Sequence, residues 1–487
     1  GQSEAGSIQE IAALIAHRAG TVPPGTWIVG RGWDLGNLAD NRADPDRWPT
    51  RDDLDPVSRH HPVALVDFSG HNLWANSLAL AKAGITDRGP EVEGGEIKRQ
   101  PQTGRPTGML VEWGARGLVD KVIPLFSRAE KQQAFQAAIA EFNSQGVTSL
   151  TDAALGPAGE TIARGMWSSE CLNIYDEMSR AGELNIRVNI LLLLGQNGCV
   201  RLQDMIDGLA AWRPPQGLDP DWVRLSGVKV FADGLPITKT AWMHDDYLGG
   251  GRGELVIPGM TDAERVSELE AIIRYAHDRE FQVGVHVTGD AAIDATVAGF
   301  VQCQTERPGA DLRHYIIHGD FISAATARTL ASHNLGLSMQ PTIKTLIADQ
   351  EEGIVGQRRA AYEWPMRTVL DAGVHLAASS DAPVTYPNWR EGIQSAVLRE
   401  AKGSGMVSGP DQCISVPEAI RMYTINGAWQ DHMEKKKGSL EVGKLADFCI
   451  LGEDILTVDP HEIREIPVLM TIVGGKIVYD ESGGILG

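Results

Sequence analysis

No stretch of this 487-residue chain reaches the about 18 uninterrupted apolar residues that a membrane-spanning helix needs. The longest apolar runs, such as 190–194, are strand-sized, so no membrane partner is expected. Cysteine is scarce: five residues (Cys171, Cys199, Cys303, Cys413, Cys449), scattered, with no Cys-x-x-Cys pair. An odd, dispersed set in a chain this long argues against a disulfide framework and for a reducing compartment, so a cytoplasmic location is expected. Basic residues are in the minority, 44 Lys+Arg against 64 Asp+Glu, for a net charge of −20. That surface repels phosphate backbones and excludes nucleic acid as a natural partner; its plain role is solubility. The first residues lack the basic and apolar regions of a signal peptide. Instead Ser7-Ile-Gln-Glu10 ahead of Ile11-Ala-Ala-Leu14-Ile15 reads as a capping box opening an amphipathic helix. With 43% hydrophobic and 22% charged residues, and no internal repeat, the chain is neither disordered, collagenous nor coiled coil. Its length suits two to four domains, or one large α/β barrel with additions.

Between residues 25 and 112 the sequence is irregular and rich in Gly, Pro, Asp and Trp, with one apolar run (62–66) and one short helix (76–83). A loop-rich subdomain with little regular structure is expected there. From about Arg128 the pattern becomes an alternation of helices and short β-rich runs. Helix 129–144 precedes strand 147–151, helix 169–181 precedes strand 186–194, and strand 223–231 follows. Helix 262–279 then precedes strand 281–286, with further strands at 313–318, 336–340 and 374–379. Such alternation signals parallel βα units; seven strands are counted where a closed barrel needs eight. A helix at 416–426 and two β runs, 447–451 and 468–478, end the chain as a small β module.

Active sites of parallel βα barrels lie at the C-terminal strand ends. The residues there are Thr151-Asp152, Lys229 (with Asp233 just beyond), His286, His318, Gln340 and Asp381. Imidazole and carboxylate groups held on rigid strand ends are what a hydrolytic zinc site uses. Each residue alone has a plainer reading: a satisfied polar histidine, a turn aspartate, a salt-bridged lysine. Lys229 stands in the apolar run Val228-Lys-Val-Phe231, where a lysine loses solvation unless it is paired or modified. It is the joint occurrence, in strand order, that carries information.

Those residues and their surroundings resemble the amidohydrolase superfamily, in particular its YtcJ-like, family 3 branch. The motifs are Val228-Lys-Val-Phe-Ala-Asp-Gly234, His286-Val-Thr-Gly-Asp290, Arg313-His-Tyr-Ile-Ile-His318 and Ser379-Ser-Asp-Ala-Pro-Val384. Gly30-Arg-Gly-Trp-Asp34, Gly70-His-Asn-Leu-Trp-Ala-Asn-Ser77 and Lys437-Gly-Ser-Leu-Glu-Val-Gly-Lys-Leu-Ala-Asp447 belong to the same likeness. The resemblance implies an α/β fold: a TIM-like (β/α)8 barrel with a composite β-sandwich domain and an insertion subdomain. It implies a divalent metal, zinc above others, as one or two ions. Lys229 would be N6-carboxylated and bridge them, His286 and His318 would bind one, and Asp381 would bind the other and take a proton from the attacking water. The implied reaction is hydrolysis of a C–N bond (amide, N-formyl, carbamate or cyclic amide) by metal-activated hydroxide. An ester or lactone substrate, or a metal-poor relative that only binds small molecules, is the alternative.

One family feature is absent: the His-x-His that ends the first barrel strand. His60-His61 lie in the insertion and do not replace it. The resemblance therefore implies a first strand and a half-sandwich, about 50–70 residues, missing ahead of the given chain. Residues 1–24 become the helix after that strand, 25–124 the insertion subdomain over the barrel mouth, 125–430 the barrel, and 431–487 the C-terminal part of the sandwich. Tryptophan is abundant, 12 residues against 8 Tyr and 9 Phe. Trp33, Trp74, Trp113 and Trp242 either pack the insertion or line a pocket for an apolar or aromatic small-molecule substrate. His71 is a candidate to reach the site, and Asp233 and Asp290 to orient its ligands. A homodimer is left open.

Overall fold

The computed structural model describes residues 5–482, apart from 45, 90, 91, 93, 94, 157–166, 169 and 196–200. The chain divides into two units, one built mainly from Gly1–Ala129, the other from Glu130–Ala158, Ser168–Asp381 and Pro387–Gly487.

In the first unit, helix Ile8–Ala19 starts where Ser7 accepts a hydrogen bond from the Glu10 amide. Ile8, Ile11 and Ile15, one stripe of the helix, pack in a core with Ile28, Trp33, Leu65 and Trp74. The expectation of a loop-rich segment is corrected here. Five strands form one sheet: β1 (Ile28–Trp33), β2 (Val63–Asp67), β3 (Asn72–Ala75), β4 (Glu96–Arg99) and β5 (Pro106–Val111), in the order β1-β2-β3-β5-β4. β1 and β2 run parallel and the other pairs antiparallel. Strands of four to six residues, separated by Gly, Pro and Asp, are too short for their alternation to stand out.

The second unit holds a parallel sheet of β6 (Ser149–Gly156), β8 (Arg187–Leu193), β9 (Val223–Phe231), β10 (Gln282–Val287), β11 (Tyr315–His318), β12 (Gly336–Met339) and β13 (His375–Ala378). The two-residue β7 (Trp167–Ser168) extends it, giving the order β13-β12-β11-β10-β9-β8-β6-β7. Every residue of β8, β10, β11 and β12 is buried, as expected of parallel strands covered on both faces. The expected strands at 186–194, 223–231, 281–286, 313–318, 336–340 and 374–379 are all present within two residues. The one expected at 147–151 starts later and runs on to Gly156.

Register sets the height of the functional residues. Lys229 lies opposite Gly284, His286 opposite Phe231, and His318 opposite Val287. Gly284 leaves room there: a Cβ would stand 2.7 Å from Leu191 Cδ1 and 3.1 Å from the Tyr315 ring, so any larger residue would push these side chains aside. Leu191, Tyr315 and Ile317 form a small apolar plug.

The helix expected over 416–426 is two helices, Val416–Tyr423 and Ile425–Gln430, broken at Thr424 (φ −125°, ψ −96°). The Thr424 hydroxyl bonds back to the Ile420 carbonyl, the local competition that bends helices. The β run expected at 468–478 is a hairpin of β15 (Val468–Val473) and β16 (Lys476–Asp480). Gly474 and Gly475, both at positive φ, make its turn, and β14 (Phe448–Leu451) pairs on the other side of β15. Among the described residues no helix is long and apolar enough to cross a membrane.

Candidate active site

Lys229, two residues before the end of β9, is buried in the apolar strand that made it conspicuous. Burial pushes its ammonium down to about 8, although the Asp381 charge pulls the other way. Its Nζ lies 4.7 Å from the centre of the Phe231 ring. The next two strands bring His286 and His318 together, ring centroids 4.5 Å apart and planes at 72°. Both are buried. His318 (φ +79°), the last residue of β11, and Asp381 (φ +53°), in the turn after β13, sit in the left-handed region, which costs conformational energy.

Hydrogen bonds fix which ring nitrogens can act. The Gln340 amide nitrogen donates to the Ser379 hydroxyl at 2.9 Å and the Ser338 carbonyl at 3.2 Å, so the amide oxygen faces His318. That oxygen, 2.7 Å from His318 Nδ1, accepts a hydrogen bond from its N–H, so the lone pair lies on Nε2. His286 Nε2 faces the Gly234 carbonyl at 3.3 Å; a carbonyl only accepts, so the lone pair of this ring lies on Nδ1. Gln340 was legible as a strand-end residue, but its orienting role was not: the signal lies in a contact 22 residues away.

Asp233 accepts from the amides of Trp242 (3.0 Å), Thr288 (3.0 Å) and Gly289 (2.9 Å), knitting the segments after β9 and β10 together. Burial pushes its carboxyl up to about 7, against the opposing pull of these bonds. Asp290 departs from the expected role. It opens helix Asp290–Glu306 and accepts from the amides of His244 and Ala291. The orienting partners of the two imidazoles are Gln340 and the Gly234 carbonyl. Trp242 is half-buried; its amide serves Asp233, and its indole Nε1 is buried without a hydrogen-bond partner among the described residues.

Two expected site residues belong to the first unit. Trp33 is a core residue there: its indole donates to the Leu65 carbonyl at 2.9 Å, and its ring meets Trp74 edge-on at 6.2 Å. It is committed to packing, which corrects its expected part in a substrate wall. Trp74 is fully buried in the same core, and the Trp113 side chain lies outside the described residues. His71 is buried with Nδ1 2.9 Å from Glu112 Oε2. Burial lowers its pKa, but the Glu112 and Asp67 charges outweigh that and raise it.

As donors, one imidazole presenting Nδ1 and a neighbour presenting Nε2 suit a borderline divalent ion, and a buried lysine of lowered pKa suits carbamate formation. Among the described residues, no three His, Cys, Asp or Glu side chains form a metal-holding group by themselves.

The chain matches the profile of the amidohydrolase family over residues 1–479. Among curated proteins it is 28% identical over 466 residues to the amidohydrolase YtcJ of Bacillus subtilis, covering 95% of this chain and 81% of that one. It is 26% identical to the N-substituted formamide deformylase of Arthrobacter pascens, covering 98% of this chain and 83% of the relative. In fold it resembles a metal-dependent hydrolase of Pyrococcus horikoshii, with TM-score 0.68 and 21% identity over 94% of this chain and 82% of that one. With the profile matched along nearly its whole length, the chain belongs to the amidohydrolase family, and on that membership it is a hydrolase.

Proposed function

We propose that this chain is a metal-dependent hydrolase of a C–N bond in a small molecule: an amide, N-formyl group, carbamate or cyclic amide. The carrying observation is Lys229 buried at a strand end with its pKa lowered to about 8, on the strand next to two imidazoles with defined tautomers. N-formyl amines head the substrate list, because a relative 26% identical is named for deformylating N-substituted formamides.

In this reading Lys229, as the free amine, adds CO₂, and its carbamate joins His286 Nδ1 and His318 Nε2 as ligands. A divalent ion held there, zinc above others, would supply Lewis acidity towards the scissile carbonyl and towards a water, whose pKa it would bring to about 7. Asp381 takes the proton of the attacking water and delivers it to the leaving nitrogen. The water oxygen adds to the carbonyl carbon, the C–N bond breaks, and a carboxylic acid and an amine leave. The same reading makes the parallel sheet part of a (β/α)8 barrel and β14–β16 part of a composite β-sandwich.

Elemental analysis and a substrate panel test this. One or two zinc or similar ions per chain and hydrolysis of at least one N-acyl or N-formyl amine are expected; a metal-free, inactive protein would refute it. Asp381→Asn is expected to keep the fold while kcat drops by about 10²–10⁴-fold. Full activity in that variant contradicts the proton-transfer role.

A further inference from the structure

His318 is braced on a side that the hydrolytic scheme does not use. Trp364 meets its ring edge-on, centroids 6.3 Å apart and planes at 89°. The Trp364 amide also donates to the carbonyl of Asp320, two residues past His318, at 2.8 Å. Trp364 is 1% exposed, and its Nε1 has no hydrogen-bond partner among the described residues. Among them, no hydrogen bond of the indole aims the ring, so backbone and packing do.

That backbone is held where a tryptophan rarely goes. Trp364 has φ +56°, in the left-handed region that is costly for a bulky side chain. It also precedes Pro365, and the residue before a proline is normally extended. Such conformations persist only where the surroundings over-determine them. Here that surrounding is Arg399, itself 1% exposed. Its Nη2 donates to the Glu363 carbonyl at 2.8 Å and its Nη1 to the Trp364 carbonyl at 2.9 Å. Those carbonyls belong to the peptide units on either side of the Trp364 Cα. One rigid fork thus fixes both planes, and with them φ and ψ of Trp364. Nε donates to the Ser408 carbonyl at 2.7 Å and anchors the fork in turn. The Arg399 backbone has a plainer task. At φ +52° it closes helix Trp389–Leu398, its amide donating to the Ser395 carbonyl at 2.9 Å. Glycine or asparagine closes a helix in the same way, so the cap does not call for a guanidinium.

We propose that Arg399 is a positioning residue for the metal centre: its guanidinium locks Trp364 in the left-handed conformation from which the indole braces His318. The assignment rests on the hydrolase reading, in which His318 is a metal ligand. Two measurements test it, neither of them turnover. The first is NMR of the metal-free protein with labelled histidine, the His318 signals being assigned by their loss in His318→Asn. Arg399→Lys keeps the charge but lacks the planar fork, and is expected to move the His318 ring-proton signals. The second is zinc affinity by chelator competition, where Arg399→Lys is expected to raise the dissociation constant about tenfold. Asp349→Ala separates positioning from mere scaffolding. Asp349 accepts from the amides of Gly403 and Ser404, so its loss frees the segment after Arg399 without touching the fork. It is expected to leave the His318 signals in place and the zinc dissociation constant within about twofold of wild type. Trp364→Gly removes the brace and the need for the fork together, since the left-handed region is open to glycine. It is expected to raise the dissociation constant about tenfold, and adding Arg399→Lys to change it by less than about twofold. Unmoved His318 signals in Arg399→Lys, an equal effect of Asp349→Ala, or multiplying effects in the double variant overturn the proposal. Should Trp364→Gly fail to fold, Arg399→Lys against Asp349→Ala decides. A wild type that binds no zinc refutes the hydrolase reading, and the metal-free signals still decide the brace.

Discussion

Gln340 ties three strand ends through a single amide: its oxygen holds His318 at the end of β11, and its nitrogen reaches Ser338 in β12 and Ser379 after β13. Partners of this kind typically change metal affinity by about 10–100-fold. Gln340→Leu should therefore raise the zinc dissociation constant by about 10–100-fold, measured by chelator competition. Gln340→Glu keeps an acceptor for His318 Nδ1 and should recover most of the loss. An unchanged affinity in the leucine variant would show that the ring is held otherwise. At this scale, Lys229, His286 and His318 were legible because polar or ionisable residues interrupt apolar strands. Trp364 and Arg399 were not. They come from separate segments in which neither residue breaks a pattern, and only the fold joins them to His318. Asp290 shows the opposite failure: proximity in sequence to His286 suggested an orienting role, but a helix start and the His244 amide claim its carboxylate.

Elements are joined by a chain of two buried histidines, His277 and His314, beneath the site. The Val283 amide in β10 donates to His314 Nδ1 at 3.0 Å, so the His314 proton is on Nε2 and points to His277 Nδ1 at 2.9 Å. His277, the last residue of helix Asp262–His277, faces the Arg307 carbonyl with its other nitrogen. Burial, with the neighbouring His277 adding to it, pushes His314 down from 6.5 to about 3. Its folded pKa lies below its unfolded one, so the unfolded chain binds the extra proton between those values. This group therefore leaves stability unaffected above about pH 6.5 and lowers it as pH falls towards 3, by about 1.4 kcal/mol per unit. Urea denaturation at pH 7.5 and 5.0 should show wild type losing about 2 kcal/mol more than His314→Gln between the two conditions; equal losses would contradict the buried-neutral assignment. Element reading followed burial. β9 was legible to the residue because its apolar run Val228–Phe231 is bounded by Ala232-Asp233-Gly234 on one side and its start follows the turn-rich stretch 214–221 on the other. Of the five short strands of the first unit, β2 showed as the apolar run at 62–66, and the other four were missed because each is only four to six residues long. The break at Thr424 was missed because it depends on one side-chain bond to the backbone.

Across the second unit, the C-terminal module is attached by charge as well as by apolar packing. Arg187 at the start of β8 grips Asp447 with two bonds, Nε to Oδ2 at 2.5 Å and Nη2 to Oδ1 at 2.9 Å, both side chains about 5% exposed or less. The guanidinium also lies over Trp222 and donates to the Asp221 carbonyl. Lys437 Nζ bonds Asp431, whose other oxygen takes Thr151 and Asn189 from β6 and β8. The motif from Lys437 to Asp447, read in the sequence as a family likeness, thus has a physical purpose: its two ends are clamps onto the parallel sheet. Removing one partner of a buried pair strands the other charge, whereas replacing both by apolar groups does not. Asp447→Ala should therefore cost about 3–5 kcal/mol in denaturant unfolding, because Arg187 is left uncompensated. Arg187→Met with Asp447→Leu should cost less than Asp447→Ala alone, although the Gly474 amide also loses its acceptor. If the double variant is the less stable of the two, the pair contributes directional attraction that burial of the same volume cannot replace. If the single variant costs under about 1 kcal/mol, the C-terminal module is held by β-sheet packing alone.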